Sequence, residues 1–205
     1  MIYDITPLIS KDLPVWPGSK PFSRTIECDM KNGSMYTASV LSGTCHLGAH
    51  VDAPCHYSMK GEAIHERSLE YFIGKCQVIR VDVPRKSQIH YSHLNGIHAP
   101  RVLFATNTFD YTKRSFQADF AAIDPALIEQ LAGLGVFTVG IDTPSVDLYE
   151  SQNLESHQMV LRYNMNILEG LDLKGVPEGL YELIALPLKL KDFDASPVRA
   201  ILRSL

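Results

Sequence analysis

The chain has 205 residues, 45% of them apolar, and a formal net charge of −4 with acidic and basic residues mixed along its length. The lack of a basic excess or stripe argues against a binder of phosphate backbones, and no apolar run reaches the ~18 residues of a membrane span. That apolar content is enough for a real core.

The N-terminal stretch MIYDITPLISKDLPVW carries Asp4 and Lys11 among its apolar residues and has no basic leading region, so it does not read as a signal peptide. Short strands are expected at Ile2–Ile5, Arg24–Cys28 and Tyr36–Leu41, where β-branched and aromatic residues gather. A short helix is expected over Ser68–Ile73, closing at Gly74. Further strands are expected at Gln77–Val83 and Val102–Thr106. Asp124 reads as an N-cap, with Pro125 at the first helical position and Leu127, Ile128 and Leu131 at helical spacing until Gly133 and Gly135. Phe137–Ile141 is a strand, a helix starts near Glu155–His157 and runs through Leu161, and Tyr181–Leu186 and Val198–Leu202 complete the strands. No repeat, linker or low-complexity segment divides the chain, so one domain over residues 1–205 is expected. Close-spaced early strands and helix-separated later ones predict an α/β fold with a mixed sheet rather than a doubly wound parallel one.

Four cysteines (Cys28, Cys45, Cys55, Cys76) lie apart, with no C-x-x-C pair. Together with the missing signal they point to a cytoplasmic protein with reduced thiols.

Residues 46 to 56 read His-Leu-Gly-Ala-His-Val-Asp-Ala-Pro-Cys-His, which places three of the eight histidines and an aspartate in one segment. Imidazole and carboxylate together suit Zn²⁺ and similar divalent ions. Gly48, Val51 and Pro54 disfavour a helix here. One straight strand would hold His46 and His50 about 13 Å apart at Cα, so Gly48 must supply a bend. His50 and Asp52, two positions apart, point to the same side of an extended segment. His56 lies beyond Pro54 and approaches from another direction. The bland alternative is a turn of surface or satisfied core histidines, and the accompanying carboxylate weighs against it. Cys45 and Cys55 read as small packing residues. His65, His90, His93 and His98 read as residues of solvated loops and turns. Ser42, Thr44 and Ser145 stand in no G-x-S-x-G elbow, which argues against a serine hydrolase.

The His46–His56 segment resembles the H-x-G-T/A-H-x-D-x-P-x-H signature of the cyclase-like metal hydrolases, with Ala49 where the wider superfamily often has Thr. The blocks Asp12-Leu-Pro-Val-Trp16-Pro-Gly, Gly140-Ile-Asp-Thr-Pro-Ser-Val-Asp147, Ile167-Leu-Glu-Gly-Leu-Asp-Leu173, Tyr181-Glu-Leu-Ile-Ala-Leu-Pro187 and Asp194-Ala-Ser-Pro-Val-Arg199 extend the resemblance to nearly the whole chain and narrow it to the bacterial kynurenine formamidases (arylformamidases). It implies an α/β fold with a central, barrel-like mixed sheet and a few peripheral helices, assembled as a homodimer or homotetramer. It implies two Zn²⁺ per subunit, with Mn²⁺ as the alternative ion. His46, His50 and Asp52 would hold one ion, and Asp52 would bridge to a second held by His157 and Glu169. His56 would be the catalytic acid/base, and Trp16 would contact an aromatic substrate, with Tyr57 as a second stacking candidate. Spacing alone singles out none of His157, Glu169 and Trp16. The implied reaction is hydrolysis of N-formyl-L-kynurenine to L-kynurenine and formate in tryptophan catabolism, by attack of a metal-activated water on the formyl carbonyl. The rival expectations are a cyclic-amide hydrolase of the isatin type and a non-catalytic metal-binding module.

Overall fold

The computed structural model describes residues 1–205. Its strands are β1 (Ile2–Asp4), β2 (Ser23–Cys28), β3 (Ala38–Ser42), β4 (His50–Asp52), β5 (Ile73–Arg80), β6 (Gln88–Ile89), β7 (Arg101–Ala105) and β8 (Ala122–Ile123). They continue with β9 (Thr138–Ile141), β10 (Asn166–Glu169), β11 (Gly179–Ile184), β12 (Ala195–Pro197) and β13 (Ile201–Ser204). Two α-helices accompany them, α1 (Pro125–Gly133) and α2 (Glu155–Arg162).

Nine strands form one mixed sheet in the order β1-β13-β11-β5-β7-β9-β10-β4-β12. β5, β7, β9 and β10 run parallel to one another, and the flanking pairs are antiparallel. Parallel neighbours require crossovers; α1 supplies the one between β7 and β9, and α2 the one between β9 and β10.

The sheet has to curl. β12 lies at one edge and β13 next to the other, seven strand spacings away, or about 34 Å if the sheet were flat. Only Val198–Ala200 join them, and so short a link spans at most about 14 Å. A backbone bond across the closing edges holds the curl: Asp172 N, just after β10, donates to Ile5 O, just after β1, at 2.9 Å.

Alternation along the strands separates two cores. Val51, Leu103, Leu168 and Leu183 fill the inside of the curl. Val102, Phe104, Val139 and Ile167 face outward and pack with Leu127, Ile128 and Leu131 of α1. The Asp124 side chain accepts from Ala126 N at 2.7 Å, so the N-cap read from the sequence is present.

Several boundaries differ from expectation. The strand expected at Gln77–Val83 begins at Ile73, where antiparallel pairing with Ile184 starts, and ends at Arg80. The helix expected over Ser68–Ile73 is reduced to a 3-10 turn over Leu69–Tyr71, and Gly74 lies inside β5. Val198–Leu202 is not one strand, because the chain turns the corner between β12 and β13 there. The strand β10, the pair β6–β8 and the shortness of β4 were not legible in the sequence. All four cysteines are free, as expected, and no helix is long and apolar enough to cross a membrane.

Candidate metal centre

The His46–His56 segment bends where Gly48 adopts a φ of +60°. Beyond the bend, β4 sends Val51 into the core and turns His50 and Asp52, both buried, to the other side. Strand pairing brings in a residue far along the chain: Glu169 of β10 stands opposite His50 in the antiparallel register. Its Oε2 lies 3.3 Å from His50 Nε2. The turn after β10 passes so close to Gly48 that a Cβ on Gly170 would lie 2.0 Å from Gly48 O.

His157 comes from the first turn of α2. Asp147 accepts from the backbone N–H groups of Ser156 and His157 at 2.8 and 3.1 Å, and faces His157 Nδ1 at 2.6 Å. One carboxylate thus satisfies helix-end donors and orients the ring. The free nitrogen, Nε2, is 3.4 Å from Asp52 Oδ2 and 3.6 Å from Glu169 Oε1. His50 is oriented in the same manner, through Nδ1 and Gly48 O at 2.9 Å. His46 reaches Asp52 through Nδ1 and Asp194 through Nε2, each at 3.0 Å. His56, on a 3-10 turn over Pro54–His56, has Nδ1 3.5 Å from Asp194 Oδ2 and its ring centre 4.2 Å from that of His46.

Burial opposes charge on His157, yet its hydrogen bond to Asp147 and the nearby Asp52 and Glu169 carboxylates outweigh this and raise its pKa to about 10. Burial likewise opposes charge on His46, and Asp52 and Asp194 hold its pKa well above the ordinary imidazole value. Asp52, despite full burial, is held below the usual carboxylate range by His46 and His157. Burial keeps His56 below the ordinary value. Protons and a cation compete for the lone pairs of these imidazoles, so cation binding would release protons.

The donor set fits a divalent ion. Both Asp52 carboxylate oxygens and His50 Nε2 are buried without a hydrogen-bond partner, a cost that proteins avoid unless something else meets those atoms. His46, Asp52 and His56 form one group with ligand atoms within 4.8 Å of one another, and His50, Asp52 and Glu169 form another. Asp52 is common to both groups. A cavity of about 290 Å³ opens over them, lined also by His157 and Trp16. The Trp16 ring belongs to an aromatic wall, its centre 5.1 Å from that of Tyr149 and 5.3 Å from that of Phe116.

Residues 3–148 match the Cyclase family, described as "Putative cyclase". The chain belongs to this family. A kynurenine formamidase of Polaromonas naphthalenivorans (strain CJ2) is 43% identical over 206 aligned positions, covering 100% of this chain and 91% of the relative. One from Bordetella pertussis is 42% identical, covering 100% and 98%. The solved structure of a "predicted metal-dependent hydrolase" from Bacillus stearothermophilus superposes with a TM-score of 0.82 at 30% identity, covering 98% of this chain and 97% of that one.

This Cyclase-family chain is a hydrolase, and its cluster is a site for a divalent metal. The fold brings His46, His50, Asp52, His157 and Glu169 together and puts His56 and Trp16 on the same cavity. Tyr57, weighed for stacking on the substrate, instead packs against the helix-side core, 5.1 Å from the His157 ring. His65 accepts from Asp192 N, His90 pairs with Asp124, and His93 accepts from His90 N, all apart from the cluster. Sequence reasoning passed over Asp147 and Asp194. Both close or open blocks that carry the family resemblance, but no local pattern marks either as an orienting carboxylate.

The Asp147→Asn variant is expected to bind metal about 10–100-fold more weakly, because the partner that fixes the His157 ring is weakened. Competition against a chromogenic chelator measures this. Unchanged affinity would show that α2 alone orients the ring.

Proposed function

We propose that the chain hydrolyses N-formyl-L-kynurenine to L-kynurenine and formate, a step of tryptophan catabolism, with two Zn²⁺ per subunit. The observation that carries this reading is the single carboxylate, Asp52, shared by two ligand groups at the base of an aromatic-walled cavity, in a chain that aligns with kynurenine formamidases over its full length. Following the family resemblance, His46, His50 and Asp52 would hold one ion and Asp52, His157 and Glu169 the other, with His50 also 3.3 Å from Glu169 and His56 beside His46. Divalent ions in such a site supply water acidified to a pKa of about 7 and polarisation of the formyl oxygen.

The remaining chemistry belongs to side chains. Trp16 presents an aromatic face to the substrate ring. His56 takes a proton from the attacking water and returns it to the aniline nitrogen as the C–N bond breaks. That return matters because an anilide anion is a poor leaving group. The His56 pKa, kept low by burial, leaves the ring neutral and able to accept a proton near pH 7.

A strong chelator is expected to abolish release of L-kynurenine, and Zn²⁺ to restore it; metal analysis should find two ions per chain. Restoration by Mn²⁺ alone would make manganese the working metal. A fully metallated protein that ignores N-formyl-L-kynurenine and opens isatin would replace the formamidase reading with a cyclic-amide hydrolase. Turnover of neither would leave a non-catalytic metal module.

We read the assembly as a homodimer or homotetramer. The β2–β3 hairpin stands outside the main sheet and exposes Met35 (94%) and Leu41 (77%) together with Ile26, Tyr36 and Val40. An isolated two-stranded hairpin is marginal in water, and a second copy would cover this apolar surface. A sedimentation mass of one chain would exclude the reading. The four free thiols support a cytoplasmic location, and a disulfide in the native protein would argue against it.

A further inference from the structure

A second cavity, of about 300 Å³, lies beside the metal cavity, and Tyr111 forms part of the wall of both. The backbone also joins them. Glu169 and Gly170 line the metal cavity, and Leu171 to Lys174 line the second. The Cα of Asp172 therefore lies within about 11 Å of that of Glu169, the reach of three extended residues. Four charged side chains line this second space beside Phe109: Asp142, which accepts from Thr106 and Asn107, Asp110, which accepts from Thr112, and the pair of opposite sign, Asp172 and Lys174. Their turn is anchored: Asp172 N donates to Ile5 O at 2.9 Å, and Asp172 Oδ1 accepts from Lys174 N at 3.2 Å.

The Tyr111 hydroxyl is buried and has no hydrogen-bond partner in the protein. Leaving such a donor unpaired is costly, and an acceptor on a ligand would recover the cost. Burial, and then the charges of Asp142, Glu169 and Asp172, push its pKa up. The hydroxyl therefore feels carboxylates of both cavities and remains a donor.

We propose that the second cavity is the subsite for the zwitterionic amino-acid tail of an aryl formamide, with Lys174 meeting its carboxylate, Asp172 its ammonium and the Tyr111 hydroxyl an acceptor oxygen between ring and tail. This rests on the formamidase reading and assigns its specificity. A formyl group is too small to identify a substrate, so discrimination falls to the ring, against Trp16, and to the tail. An α-amino acid carries one charge of each sign on a single carbon, which the Asp172–Lys174 pair matches in kind.

The test compares the metal-loaded wild type with Lys174→Ala, Asp172→Asn and Tyr111→Phe on two substrates. One is N-formyl-L-kynurenine; the other is formanilide, which has the aryl formamide but no tail. Asparagine retains the oxygen that accepts from Lys174 N, so the turn survives. Each variant is expected to raise KM for N-formyl-L-kynurenine about tenfold, with kcat and the kcat/KM for formanilide changing less than about twofold. Unchanged KM in all three variants overturns the subsite and leaves the formamidase reading intact. Equal losses on both substrates overturn it as well, by showing a structural effect on the metal cavity. A wild type that cleaves formanilide and ignores N-formyl-L-kynurenine removes the formamidase reading, and the tail subsite with it.

Discussion

Replacing His56 by alanine is expected to leave the metal content at its wild-type level and to lower kcat on N-formyl-L-kynurenine by about 10²–10⁴-fold, the usual contribution of a positioned general acid/base. The geometry supports this division of labour. His56 is held on a 3-10 turn rather than on β4, one-third exposed at the cavity, while His50 and Asp52 are almost fully buried. Its Nδ1 faces Asp194 at 3.5 Å, which leaves Nε2 for proton transfer. Asp52 and Glu169 offset part of the burial that keeps its pKa low. Metal analysis and steady-state kinetics on one preparation decide the matter. Because His56 also falls within 4.8 Å of His46 and Asp52 ligand atoms, loss of metal together with activity would make it a ligand and end the acid/base assignment.

The Gly170→Ala variant is expected to be destabilised by more than about 4 kcal/mol, in the range reserved for severe steric or backbone defects, and to lose metal even where it folds. Gly170 has a φ of +69°, and its added Cβ would stand 2.0 Å from Gly48 O and 2.6 Å from Gly48 C. Both clashing atoms are backbone, so no rotamer change relieves them. The same Gly48 oxygen orients the His50 ring through Nδ1, so any relaxation moves a proposed ligand. Gly175 is the control. Its φ is +79° but nothing lies within 4 Å of its added Cβ, and alanine there should cost only the left-handed strain, about 1–2 kcal/mol. Urea unfolding of both variants separates the two causes. A Gly170→Ala protein as stable as the Gly175→Ala one, with full metal content, would refute the account.

Local chemistry was enough to read some of this molecule directly from its residues. The helix at Pro125–Gly133 announces itself because its cap, its first-turn proline and its apolar spacing agree within ten positions. The bend at Gly48 and the shared side of His50 and Asp52 follow from strand geometry and glycine's freedom at positive φ. A metal cluster in that segment was legible for the same reason: its donors lie close along the chain, where spacing constrains direction.

Tertiary structure alone decided the rest. Glu169 meets His50 because β10 pairs with β4 in one register, and slipping that register by one residue would send the carboxylate to the opposite face. His157 meets Asp52 because α2 is pinned by Asp147, ten residues earlier and unmarked by any local pattern. Asp194 meets His46 across nearly 150 positions because it immediately precedes β12, which pairs with β4 at the sheet's edge. Val198–Leu202 has the composition of one strand, but Val198–Ala200 form the link after β12 and only Ile201 and Leu202 enter β13, since a curled sheet must turn a corner where its edges approach. Spacing along a chain fixes which residues can act as neighbours over a few positions; contacts at longer separation are set by strand register and by the closure of the sheet, which no short segment encodes.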